Sequence, residues 1–139
     1  MESLNKRSGA LTTALLSSSN AIVDFQKQNI DLSLSEYRKS RDSLIQRFEY
    51  CADLFWKFLN DQLRIQMGIF VDIPRPKFVF KESCDTGLIS SNELQTCIKL
   101  TEDRNHSSHA YHEELAEWIS QRIPAYYQLM NTVAQRLIK

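Results

Sequence analysis

Two helical segments of this chain are joined by the polar stretch Asp103-Arg104-Asn105-His106-Ser107-Ser108-His109-Ala110-Tyr111-His112-Glu113. It contains all three histidines of the protein, with an arginine, an amide, two hydroxyls, a phenol and two acids. The sequence on either side has the apolar spacing of long amphipathic helices. Because so many polar groups are costly to bury, we expect a functional site at this junction.

The strongest helix signal lies upstream, at Ser33. Glu36 follows three residues later, the spacing of a capping box, and predicts a helix from Leu34 to Met67. Two neighbouring apolar stripes run along this helix, made of Leu44, Phe48, Cys51, Phe55, Phe58 and Leu63 and of Ile45, Ala52, Trp56 and Leu59. Such a wide apolar arc must be covered on more than one side, by the first helix and by another layer such as a partner subunit.

Caps and helix breakers predict the other elements. A first helix is predicted from about Ser3 to Gln28, and Gly68 is predicted to end the long helix. A short helix should run from Pro76 to Asp85-Thr86, with Gly87 as its cap, and the capping box Ser90/Glu93 should open the next helix. The last helix should begin at about 110–113, and Pro124 should kink it or mark a restart. No useful β alternation and no internal repeat is present. The predicted fold class is all-α, an up-and-down antiparallel bundle of four to five helices forming one domain over residues 1–139.

Charge and composition narrow the function classes. Seventeen basic and seventeen acidic residues give zero formal charge, which argues against a general polyanion binder. The basic residues of the long helix are predicted to be solvated unless several converge on the polar stretch; they are Arg38, Lys39, Arg41, Arg47, Lys57 and Arg64. Three cysteines without a CxxC pair indicate reduced thiols in a cytoplasmic protein. No signal peptide is evident and no apolar run reaches the ~20 residues of a membrane span.

Three interpretations of the polar stretch compete, and two of them are a metal site and a structural junction. His106, His109 and His112 recur every third residue, as zinc ligands can, but on one helix the outer two would lie about 120° apart. Alternatively, the stretch is a structural junction, in which Ser107 or Ser108 caps the last helix and Arg104 pairs with an acid. Capping alone does not need an arginine, an amide, a histidine and a tyrosine together, so this interpretation is weaker for the whole set.

The third interpretation is metal-independent cleavage of a phosphodiester. A histidine with a pKa near neutrality can shuttle a proton while an arginine neutralises the charge on the reacting phosphorus. Glu113 lies four residues beyond His109 and could orient its ring if both are helical. On one helix Arg104 and His109 would be about 140° apart. The chain must therefore bend between them, or the site must use side chains from two copies.

The pattern Arg104-x4-His109-x-Tyr111, flanked by Asp103 and Glu113, resembles the signature of the HEPN superfamily. The stretches 41–50, 55–57, 74–75 and 87–89 resemble, in order, the long helix, the aromatic-lysine continuation, the proline helix start and the Gly-Leu-Ile turn of its nucleotidyltransferase-substrate-binding branch. The first thirty residues match only loosely. His106 and His112 depart from the residues usual in the branch.

The resemblance implies a helical bundle that forms a homodimer with two motifs facing a shared cleft. It implies a ribonuclease without metal or cofactor, in which Arg104 and His109 carry out cleavage with help from Asn105. Asp103, Ser108 and Glu113 would bind substrate or support the site. It also implies a partner nucleotidyltransferase of the MNT type, which in toxin–antitoxin pairs can transfer AMP to the tyrosine, here Tyr111.

Two other functions fit the same resemblance. The chain could be a non-catalytic subunit that presents a substrate to the nucleotidyltransferase, its motif binding nucleotide instead of cutting RNA. It could also be a helical adaptor whose motif only locks a dimer. These interpretations share the fold and differ in the chemistry of Arg104 and His109.

Overall fold

A computed structural model of the chain describes residues 2–27, 33–107 and 113–138, with side chains from residue 5 onward. Its helices are α1 (Glu2–Lys27), α2 (Leu34–Asp61), α3 (Pro76–Asp85), α4 (Ser91–Ser107) and α5 (Glu113–Leu137), and a π-helical turn, Gln62–Gln66, follows α2 directly. These ranges contain no strand. The all-α fold class and the number of helices are confirmed.

The long helix has nearly the predicted extent. The backbone N–H of Glu36 donates to Ser33 Oγ at 3.2 Å, as the capping box predicts. Gly68 ends the helix with φ +66°, a left-handed conformation that favours glycine. The π-helical turn before Gly68 was not predicted, because the sequence continues a helical pattern through it.

The shorter helices follow their predicted signals. Pro76 occupies the first turn of α3, and Gly87 follows that helix with φ +84°. The capping box of α4 is reciprocal: the N–H of Ser90 donates to Glu93 Oε1 at 2.8 Å, and the N–H of Glu93 donates to Ser90 Oγ at 3.1 Å.

Of the two outcomes expected at Pro124, a kink or a restart, the restart is wrong, since α5 continues through it. Proline lacks one backbone N–H, but packing on both sides of it keeps the helix whole. The side chains of Ile119, Ile123, Tyr126 and Met130 are all at most 3% exposed.

The apolar arc of α2 is covered within the chain. Its first stripe is buried throughout, and in the second stripe only Trp56 is half-buried. Leu11, Leu15 and Ile22 of α1 cover one side, and Ile119 and Met130 of α5 belong to the same buried cluster. The core therefore does not need a partner subunit to cover this arc.

The cysteines are free thiols, as predicted, with Cys51 and Cys97 buried and Cys84 partly so. Burial raises the pKa of Cys51 and of Cys97 to about 12, so neither forms a thiolate near neutral pH. Among the helices described, none combines the length and apolar character that crossing a bilayer requires.

Candidate functional site

The polar stretch lies where α4 ends and α5 begins. Helix α4 ends at Ser107 and α5 begins at Glu113. Ser108, His109, Tyr111 and His112 fall outside the described residues. The convergence of Arg104 with His109, the role of Ser108 and the modification of Tyr111 therefore remain predictions.

Arg104 is bound by two carboxylates of α2. Its Nε and Nη2 donate to Asp53 Oδ1 and Oδ2 at 3.2 and 3.1 Å, and its Nη1 donates to Glu49 Oε2 at 2.9 Å. Glu49 and Asp53 are four residues apart and share one face of the helix. The hydrogen bonds to Asp53 raise the pKa of the Arg104 guanidinium, so this side chain is a fixed cation.

Ser107 adds a second connection to the same carboxylate. Its Oγ lies 3.1 Å from Glu49 Oε2 and 2.8 Å from the carbonyl oxygen of Arg104, both of which can accept its proton. Glu49 thus holds the last turn of α4 at two points. The hydroxyl bonds to α2 and to its own helix, whereas the junction hypothesis had it cap α5.

Asp103 faces away from Arg104 and braces α4 against α5. It is 5% exposed and accepts hydrogen bonds from the Tyr126 hydroxyl and from Arg122 Nη1, the latter at 3.0 and 3.1 Å. Burial, with the hydrogen bond to Asp103, raises the pKa of Tyr126. This location suits support of the site better than contact with a substrate.

Glu113, the first residue of α5, is bound by two arginines of α2. Arg41 Nη1 and Nη2 donate to its carboxylate at 2.7 and 3.2 Å, and Arg38 Nε lies 3.2 Å from it. The hydrogen bond from Arg41 lowers the pKa of Glu113. The expected pairing of Glu113 with His109 lies partly outside the described residues; the contacts that are described are with arginine.

Arg41 also contacts the next turn of α5. Its Nη1 donates to Glu117 Oε1 at 3.1 Å, and the Tyr37 hydroxyl donates to Glu117 Oε2 at 2.8 Å. The Arg41 side chain is 3% exposed, and the exception to the expected solvation applies to it, since Arg41 and Arg38 converge on Glu113 of the polar stretch. The reason is that α5 places two acids over it.

Asn105 and His106 are exposed on α4. Asn105 and Arg104 line a pocket of about 310 Å³ between α2, α3 and α4. In the parts of the chain described, no three His, Cys, Asp or Glu side chains are grouped as a metal site would require. Two of the three histidines lie outside those parts, so the zinc interpretation is not tested.

Comparison with known proteins decides the family. The model of the family described as nucleotidyltransferase substrate-binding protein like matches residues 7–139. The chain belongs to this family. The match includes most of α1, where the sequence resemblance was loosest, and it confirms the branch to which the polar stretch pointed. None of the curated proteins compared with the chain matches it.

Solved structures similar to this family member include a Thermus thermophilus protein of 32% identity. The similarity covers 88% of this chain and 99% of that one, with a TM-score of 0.70. A tri-AMPylated HEPN toxin of Shewanella oneidensis, in complex with an MNT antitoxin, is 14% identical over 95% of this chain and 93% of its own, with a TM-score of 0.71. A mutant of the toxin–antitoxin pair MntA–HpeT is 12% identical, and the similarity covers 91% of this chain and 95% of that one, with a TM-score of 0.69. At these lower identities the likeness shows the HEPN fold alone.

Sequence reasoning missed the partners that neighbouring helices bring to the polar stretch. The residues missed are Arg41, Glu49 and Asp53 of α2 and Glu117 of α5. Arg41, Glu49 and Asp53 are separated by multiples of four residues, which places them along one side of α2 beside the apolar stripes. That spacing was the available signal.

Proposed function

We propose that this protein is the HEPN-type component of a toxin–antitoxin pair, a metal-independent ribonuclease neutralised by a cognate nucleotidyltransferase of the MNT type. The observation that supports this most is the fixing of Arg104. An arginine held by two carboxylates at the edge of a pocket is a preorganised cation at the start of the motif.

Both ends of the undescribed segment are tied to one helix. Ser107 is bound to Glu49 and Glu113 to Arg41, eight residues apart on α2, or about 12 Å along its axis. The residues on either side of the motif, Ser107 and Glu113, are thus held to the same helix that holds Arg104.

The proposed reaction uses the ribose of RNA as the nucleophile. The 2′-hydroxyl attacks the adjacent phosphorus, His109 takes its proton and returns one to the leaving 5′-oxygen, and a 2′,3′-cyclic phosphate forms. Arg104 stabilises the extra negative charge on the phosphorus oxygens, with Asn105 donating to a phosphate or ribose oxygen. No metal or cofactor takes part.

Substrate must compete with the carboxylates already on Arg104. Three of its five N–H groups donate to Asp53 and Glu49. A phosphate oxygen can accept from the other two or displace Glu49, which keeps a hydrogen bond from Ser107. Local charge before substrate binds is one cation against two anions, and this disfavours unspecific binding of polyanions.

Regulation is proposed to act on Tyr111. The phenol oxygen would attack the α-phosphorus of ATP bound to the MNT partner, losing its proton as pyrophosphate leaves. AMP on Tyr111 would place bulk and negative charge between Arg104 and a phosphate substrate. We also propose a homodimer in which the motifs of two copies face one cleft.

One observation favours the alternative of a non-catalytic presenting subunit. The ion pairs of Arg104 with Glu49 and Asp53 are complete without substrate, as they would be in a structural junction. In that case the motif binds nucleotide for the transferase and cuts nothing.

Expression of the chain alone distinguishes the two. We expect the wild type to slow growth and to cleave RNA in the presence of EDTA, and His109→Ala to do neither. His106→Ala, which removes an exposed histidine of the same stretch, should behave as wild type. Equal behaviour of wild type and His109→Ala would replace the ribonuclease with the presenting subunit.

The regulatory step has its own test. Incubation with the cognate MNT protein and ATP should add AMP to the wild type, detected by mass spectrometry, and should leave Tyr111→Phe unlabelled. Tyr50→Phe removes an exposed tyrosine of α2 and should be labelled normally. Equal labelling of Tyr111→Phe and wild type would reject Tyr111 as the acceptor.

A further inference from the structure

The pocket beside Arg104 has a chemistry of its own. It has a volume of about 310 Å³, near the lower end of small-ligand pockets, and its walls come from three helices. Trp56 of α2 and Pro76 and Phe80 of α3 give it an apolar, aromatic side. Arg104 and Asn105 of α4 form its polar edge.

Charge in the pocket is balanced. The carboxylate of Asp53 lies against the guanidinium of Arg104 through two hydrogen bonds, so neither presents a bare charge to a ligand. Lys57 Nζ lies 5.9 Å from the centroid of the Trp56 ring, which disfavours a cationic ligand. The pocket therefore suits a flat, uncharged group next to the place where Arg104 would meet a phosphate.

We propose that this pocket binds one base of an RNA substrate, stacked on Trp56, next to the phosphate at Arg104. The inference rests on the proposed ribonuclease function and adds its substrate selectivity. Proteins recognise unpaired RNA bases by stacking them on aromatic side chains and by hydrogen bonds to their edges. Trp56 is half-buried and lines the pocket.

Stacking on Trp56 favours bases with a large ring surface. The polar edge carries both acceptors and donors, since Asp53 accepts while Arg104 and Asn105 carry N–H groups, so hydrogen bonding alone does not select a base. Base preferences of aromatic platforms follow stacking strength. Adenine and guanine have two fused rings, whereas uracil has one. The pocket thus favours adenine or guanine over uracil at one position beside the cleaved bond.

Cleavage kinetics test the pocket. The experiment compares RNA oligonucleotides that differ only in the base on either side of one scissile bond. Their cleavage is measured with the wild type, Trp56→Ala, Trp56→Phe and Trp118→Ala. Trp118 is the other tryptophan of the chain, 55% exposed on α5, and is the matched control. We expect Trp56→Ala to raise KM by roughly 5- to 150-fold and to lose the preference against uracil. Trp56→Phe should keep the preference, and Trp118→Ala should match the wild type.

A binding measurement separates this inference from the proposed function. In Trp118→Phe/His109→Ala, Trp56 is the only tryptophan, and its fluorescence should be quenched by a 2′-O-methyl RNA hexamer of adenine more than by one of uracil. Quenching does not require cleavage, so it is informative even if the wild type cuts no RNA and the ribonuclease fails. If neither hexamer quenches the fluorescence, the pocket does not bind a base. The same follows if Trp56→Ala is folded and cleaves with wild-type KM and base preference. Either result overturns the pocket and leaves the ribonuclease proposal standing.

Discussion

Arg104 and Asp53 form a two-point ion pair between α4 and α2, with Nε and Nη2 donating to the two carboxylate oxygens at 3.2 and 3.1 Å. This geometry fixes the plane of the guanidinium, which a single contact would leave free to rotate. The same carboxylate lowers the attraction of the site for phosphate. Asp53 therefore favours catalysis by orienting Arg104 and disfavours it by weakening the attraction for phosphate.

Asp53→Asn should separate these two effects. The amide keeps one acceptor but turns an N–H toward the guanidinium, so Arg104 loses its orientation, and a misplacement of about 1 Å can cost ~100-fold in rate. We expect kcat for RNA cleavage to fall roughly 10- to 100-fold and KM to fall as well, because a negative charge is gone. Asp72→Asn, at an exposed position of the connection before α3, should change neither value. A variant with unchanged kcat would show that Asp53 does not position Arg104.

Arg41 and Arg38 bind the same carboxylate of Glu113 but differ in burial, at 3% and 46% of the side chain exposed. Removing Arg41 leaves the Glu117 carboxylate and part of the Glu113 carboxylate without a paired cation. When the exposed Arg38 is removed, water can take its place beside Glu113. We expect Arg41→Ala to lower the free energy of unfolding by about 2–4 kcal/mol. Arg38→Ala should cost less than about 1 kcal/mol. Urea denaturation measures both, and equal losses would contradict the role given to burial.

Asp103 is predicted to stabilise the fold and to act on the site through it. Asp103→Asn removes a buried charge that accepts from Tyr126 and Arg122, and should lower the free energy of unfolding by about 2–4 kcal/mol. Tyr126→Phe removes one hydrogen bond, leaves the charge paired with Arg122 and should cost about 1–2 kcal/mol. Thermal melts with urea titration give these values. A loss of cleavage in Asp103→Asn without any loss of stability would show that Asp103 contacts substrate after all.

The helices could be predicted because their signals are local. Ser33 and Ser90 cap with an acid three residues on, and Gly68 and Gly87 take the left-handed conformation that ends a helix. Local signals did not decide whether the last helix continues through Pro124 or restarts there, since the continuation of α5 depends on core contacts from elsewhere in the chain. Local rules state where a helix tends to stop, and packing decides whether it does.

Only the part of the site on α4 and the polar stretch could be predicted from the sequence. Arg104 and its neighbours form one continuous stretch, so the polar cluster was visible in the sequence. Its partners Asp53 and Glu49 come 51 and 55 residues earlier, and only the packing of α2 against α4 brings them there. The same holds for Arg41, which looks like any surface arginine until α5 places Glu113 on it.

Acidification should detach the start of α5 from α2. Arg41 lowers the pKa of Glu113 below its ordinary value of 4.5. A carboxyl with a lowered folded-state pKa contributes stability that is complete above its unfolded value and is lost as the pH falls through its folded value. The difference in free energy of unfolding between wild type and Glu113→Gln should therefore be constant above about pH 5 and shrink below about pH 4.5.

Glu114→Gln, in the same first turn, is the matched control for this pH dependence. Both acids interact with the helix dipole, but of the two it is Glu113 that Arg41 binds. Chemical denaturation at a series of pH values gives both curves. A Glu113→Gln difference that follows the Glu114→Gln curve would mean that Arg41 does not hold this end of the polar stretch through Glu113.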